Sequence, residues 1–212
     1  MSVNLHILEA SDRLTSHKDL IIETTEAVLQ DIESQIHLPT VDVVFEDNPN
    51  HAIPNQATGG ICPTAHLVRI SINPEFEDIE NVLAGEVRSS LAHELHHSAR
   101  TAAVGYGSTF REVLISEGLA GHFDVEINGT DPKPWDIAVQ GEELERMKQL
   151  AQKEFDNEDY NHYRWFFGVG DENIAHWTGY SLAFSLVGDY LKKNENTAAE
   201  LVDVPAGEIL IK

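Results

Sequence analysis

His93 and His97 stand four residues apart in the run His93-Glu94-Leu95-His96-His97. Positions at that spacing lie one above the other on a single helix face, so two imidazoles can bind one metal ion without distorting the backbone. Glu94 projects about 100° to the side. It is therefore not placed as a ligand, but it flanks the open coordination position, where a carboxylate can take a proton from the attacking water. His96 points away from His97 by a similar angle and is expected outside the ligand set, in support or at the surface. A catalytic zinc takes three protein ligands and keeps one position for water. Glu117 is the candidate third ligand, with nineteen residues between it and His97, in Ile115-Ser116-Glu117-Gly118-Leu119-Ala120-Gly121. Glycine costs about 1 kcal/mol in a helix interior, so Gly118 and Gly121 suggest that another backbone approaches closely there. Two histidines and a glutamate favour zinc over softer or harder ions, at one ion per chain.

These residues need helices to present them. Ile79, Val82, Leu83, Val87, Leu91, Leu95 and Ala99 recur three or four apart and predict a long amphipathic helix from about Glu77 through Arg100. Gly105-Tyr106-Gly107 breaks it, and Ser108 is the expected cap of a second helix running past Glu117 to about Glu126. Upstream, Ser11 to His37 reads as a helix closed by Pro39, and Val41–Phe45 and His66–Ile72 read as strands. Gly59-Gly60-Ile61 either joins a strand, whose exposed edge could pair with an extended peptide, or forms a turn with positive φ. Downstream, Trp135 to Phe155 is expected as a mostly polar helix and Asn173 to Lys192 as a last, more apolar one. The expectation is one α+β domain over residues 1–212, with a helix and small sheet in 1–75 and a helical body carrying the metal site in 76–212.

Composition bounds the function. A formal net charge of −22 argues against nucleic acid and anionic membrane surfaces as partners; it reads first as a solubilising or salt-adapted surface and would also favour cations or basic substrates. With Cys62 as the single cysteine, an intramolecular disulfide and a thiolate-rich zinc site are both excluded. Cys62 is expected as a small buried hydrophobe, with an approach to the metal as the alternative. No stretch of about 18 apolar residues occurs, and the first residues lack a basic segment followed by an apolar run, so a cytoplasmic protein is expected.

The two motifs together resemble the gluzincin metallopeptidases. More narrowly, Gly59-Gly60, Ala92–Arg100, Glu117-Gly118-Leu119-Ala120 and Trp177-Thr178-Gly179-Tyr180 resemble the DUF2268 family of predicted zinc-dependent proteases, over roughly Gly59 to Leu191. The resemblance implies a zincin-like fold, a His93/His97/Glu117 zinc site, Glu94 as general base and a peptide or protein substrate. Gluzincins usually supply a Tyr or His from downstream helical structure to the oxyanion. That implies Tyr180 first and His176 second, with Gly179 letting the helix approach and His162 a weaker candidate. The chain departs from the thermolysin-like pattern at Gly121, where an aspartate would orient a ligand histidine; Asp124 or a backbone carbonyl could substitute. Arg100 is expected as a solvated charge, with pairing to a carboxylate as the alternative, and the three tryptophans as packing residues. Two other readings stay open: a metal-stabilised binding or chaperone-like protein with little turnover, and a zinc hydrolase of a non-peptide amide or ester.

Overall fold

Val41 to Asp47 alternates buried and half-exposed residues, with Val41, Val43 and Phe45 turned into the core, which is the period-two pattern of a strand with one buried face. It lies within a four-stranded mixed sheet of β1 (Val3–Ile7), β2 (Val41–Asp47), β3 (Thr58–Thr64) and β4 (Leu67–Ile72), in the order β1-β2-β4-β3. The structure is a computed structural model and describes residues 3–209. β1–β2 and β2–β4 pair in parallel, with Leu5 opposite Val43 and Val43 opposite Val68. β3 runs antiparallel to β4, with an irregularity between Ile61 and Thr64. β1 went unpredicted because its five residues, Val-Asn-Leu-His-Ile, carry only three apolar positions.

The chain divides into two compact units, Met1–Ala103 and Val104–Lys212. In the first, α1 (Lys18–Gln35) buries Ile21, Thr25, Val28 and Ile32, one face at helical spacing, and packs against α2 (Ile79–Ala103). α1 is shorter than the expected 11–37 segment, since Thr15–His17 forms a separate 3-10 turn ahead of it. α2 also packs against β3 and β4. From Leu91 to Arg100 its residues are buried with the exception of His93, so this half of the helix is enclosed on more than its apolar stripe.

The second unit centres on α3 (Phe110–Asn128) against α6 (Thr178–Asn194), with α4 (Gly141–Ala151) and α5 (His162–Phe167) packed on α6. α3 starts at Thr109, one residue after the expected cap: its hydroxyl accepts from the Glu112 N–H while the Glu112 carboxylate accepts from the Thr109 N–H. A Cβ at Gly118 would lie 2.4 Å from the Ala183 carbonyl oxygen, so the missing side chain is what lets α6 lie against α3. Gly179 serves a different neighbour from the one expected: a Cβ there would lie 2.7 Å from the Phe166 ring. The expected helix over 135–155 contracts to α4, because Asp136 accepts from the Lys133 N–H in a turn and Ser181 ties down Trp135 and Val139. α6 begins at Thr178 rather than Asn173, after Trp177 adopts a left-handed conformation. α5 was unpredicted; at six residues it is too short for a periodic signal. Trp165 is fully buried beside Phe110, whereas Trp135 and Trp177 meet edge to face at half-buried positions.

Candidate functional site

In the first unit, three residues of α2 one turn apart meet β3. Glu86 accepts from the Thr58 N–H at 2.9 Å, Ser90 and Thr58 share a hydroxyl hydrogen bond at 3.0 Å, and Glu94 lies against Gly60. Spacing of four on the helix and two on the strand brings these partners into step. A Cβ at Gly60 would lie 2.5 Å from Glu94 Cγ and 2.7 Å from its Oε1, so the absence of a side chain makes room for the carboxylate. Gly59 and Gly60 sit in β3 without positive φ, which removes the alternative of a left-handed turn. Ile61, next along, is 56% exposed.

His93 and His97 share this stretch of α2. Their Nε2 atoms are 3.0 Å apart, and the rings meet at 80° with centroids 4.7 Å apart. Two imidazole nitrogens on a tetrahedral zinc, each about 2.0–2.1 Å from it, stand about 3.3 Å apart. The pair therefore fits co-ligation with little movement. Glu94 is 7% exposed, and burial together with its charge pushes the Cys62 thiol up to about 12. Cys62 is half-buried and its Sγ donates to the Thr64 carbonyl, so it is a neutral thiol on the strand beside Glu94. His96 is fully buried, which leaves support rather than surface for it. Arg100 is 1% exposed, so the solvated charge expected at this position is replaced by a buried guanidinium.

In the second unit, Glu117 lies on α3 at a half-buried position and accepts a short hydrogen bond from the Tyr106 hydroxyl. Burial and the Glu117 charge push the Tyr106 phenol well above its ordinary value, which keeps it a proton donor. Tyr160 is pushed up to about 12 by burial and then by Glu117. His162 is held below its ordinary value by burial, against the pull of Glu117. Its Nδ1 is 3.1 Å from the Tyr160 hydroxyl and its ring stacks on Phe166 at 4.3 Å.

Tyr180 packs edge-on to Phe166 and Phe167, and its charge state is felt at Tyr106, so this first candidate belongs to the Glu117 surroundings. His176 is exposed, with Nδ1 bonded to the Phe167 carbonyl at 3.1 Å and its ring beside Trp177. Asp124 is buried, accepts from the Asn128 side chain at 2.7 Å and lies 3.8 Å from Lys133 Nζ. Tyr106 and Tyr160 escaped sequence reasoning. Tyr106 was part of a glycine-flanked break, and nothing periodic ties either tyrosine to Glu117.

A histidine pair with an adjacent carboxylate on one helix, in an α+β protein, defines a candidate metal-dependent hydrolase. The chain matches, over residues 21–211, the family described as Predicted Zn-dependent protease (DUF2268), and it belongs to that family. No curated protein and no solved structure matches it. Among the described residues, no helix is long and apolar enough to cross a membrane.

Proposed function

We propose that the protein is a zinc-dependent peptidase in which His93, His97 and Glu117 hold one zinc ion per chain and Glu94 is the general base. The observation that carries the reading is the His93–His97 pair, with Nε2 atoms 3.0 Å apart, on the helix that also holds Glu94 against Gly60. Glu117, in the second unit, is the third ligand that the reading adds to the histidine pair, and the family's description names zinc. Zinc bound there supplies Lewis acidity, polarising the scissile carbonyl and making water a nucleophile near neutral pH.

The remaining steps belong to the chain. Glu94 takes the proton from the attacking water and returns it to the leaving amine, one carboxylate serving as base and then as acid. The absence of a side chain at Gly60 leaves room for that carboxylate between strand and helix. Among the described residues β3 pairs with β4 on one side; on the other edge the Thr58 carbonyl accepts from the Ile53 N–H and its N–H donates to Glu86, so strand addition of an extended peptide would use the edge from Gly60 onward. Tyr180 is the favoured oxyanion donor, His176 the second, and His162 stands beside them as a ring whose Nδ1 is engaged by Tyr160. With a net charge of −22, the protein is expected to take neutral or basic peptides and to leave nucleic acids and anionic membranes alone.

Glu94→Gln tests the reading. Zinc content should be retained while turnover of a scanned peptide library disappears. Unchanged turnover in the variant would overturn the mechanism.

A further inference from the structure

We propose that Tyr106 is the positioning residue for Glu117, holding its carboxylate in one orientation ready for zinc; this rests on the reading of Glu117 as a ligand. Tyr106 lies in the short connection before α3 and is fixed at two points to consecutive residues of that helix. Its hydroxyl donates to Glu117 Oε1, and its backbone carbonyl accepts from the buried Ser116 hydroxyl at 2.5 Å. Ring and backbone are thus both referred to the same turn of α3, so the phenol cannot drift relative to the carboxylate it serves.

The connection is shaped for this. Gly105 and Gly107, on either side of Tyr106, have φ of 88° and 109°, a region that glycine alone enters at low cost. A Cβ at Gly107 would also lie 2.3 Å from Glu112 Cβ, a residue of the box that caps α3. The capped helix start and the tyrosine turn therefore lock together.

A glutamate side chain has three rotatable bonds, and a metal site built on it gains from fixing them beforehand. Partners that orient ligands typically change metal affinity about 10–100-fold when removed. Tyr106→Phe keeps the ring and deletes only the donor, so the fold should persist.

Zinc affinity is measured by competition with a chromogenic chelator, using Zn²⁺ alone, for the full-length protein, Tyr106→Phe, Glu117→Gln and the double variant. Tyr106→Phe should weaken zinc binding about 10–100-fold, while the zinc-free protein stays folded with its Tm lowered only by the loss of one hydrogen bond. In the Glu117→Gln background the same substitution should have no further effect, since the hydroxyl acts through the carboxylate. Unchanged affinity in Tyr106→Phe, with affinity lost in Glu117→Gln, would overturn the role of Tyr106 and leave Glu117 as ligand. Unchanged affinity in Glu117→Gln would overturn both. A fall in kcat at unaltered zinc affinity would overturn positioning in favour of direct action of the phenol on substrate.

Discussion

Gly60→Ala separates the placement of Glu94, the proposed base, from the stability of the fold. The new Cβ would stand 2.5 Å from Glu94 Cγ, 2.7 Å from Oε1 and 2.9 Å from Cδ. Ordinary carbon contacts lie at about 3.5–4.0 Å, so the carboxyl group has to retreat by about 1 Å. The displaced atoms are the end of a flexible side chain, so the overpacking cost should sit near the low end, about 1 kcal/mol. Removing glycine from a strand returns roughly 0.5–1 kcal/mol. The net change in stability is close to zero, within about 2–4 °C of Tm. Catalysis has no such compensation, because a displacement of about 1 Å at a reacting group can cost about 10²-fold. Steady-state kinetics on a cleavable peptide, with zinc content and thermal melting on the same preparations, should show kcat down about 100-fold and metal retained. A kcat within about threefold of the parent at matched Tm would refute the idea that Glu94 works from beneath Gly60.

Further outcomes follow from the packing and the charges. Gly118→Ala should lower Tm, since its Cβ would meet the Ala183 carbonyl at 2.4 Å and Val187 Cγ2 at 2.5 Å, and overpacking of about 1–3 kcal/mol exceeds the roughly 1 kcal/mol of helix propensity gained. Gly85→Ala, with nothing within 4 Å of the new Cβ, should instead stabilise α2 by up to about 1 kcal/mol in the same melting assay. Iodoacetamide labelling of Cys62 should stay slow at pH 9 and climb toward pH 12, because burial and then Glu94 hold the thiol neutral up to about 12. The same shift makes a sign prediction for stability: unfolding frees a thiol that ionises near 9.0, so this contribution is present below that pH and is lost as pH rises toward 12. In Glu94→Gln the labelling profile should move to lower pH, and an unmoved profile would contradict the closeness of the two groups.

The helices that carry His93, His97 and Glu117 were legible because they are periodic. His93 and His97 fall on a helix that Leu83, Val87, Leu91 and Leu95 announce independently, and Gly118 flagged a close helix approach that α6 supplies. Short or irregular parts were not. β1 has five residues, α5 has six, and the polar segment before α4 is held by turn hydrogen bonds that leave no periodic trace. Arg100 shows a second limit: its burial is a property of the fold around α2, and an arginine beside polar neighbours reads as solvated from sequence alone. The same holds for Tyr106, whose tie to Glu117 spans a glycine turn and eleven residues.

The most direct test of the proposed zinc site is an anomalous difference map from zinc-loaded crystals, collected on both sides of the zinc absorption edge. One peak per chain is expected, bonded by His93 Nε2, His97 Nε2 and a Glu117 carboxylate oxygen, with Glu94 outside the ligand set. A zinc peak held by other residues, or a peak on the histidine pair that Glu117 does not reach, would contradict the account.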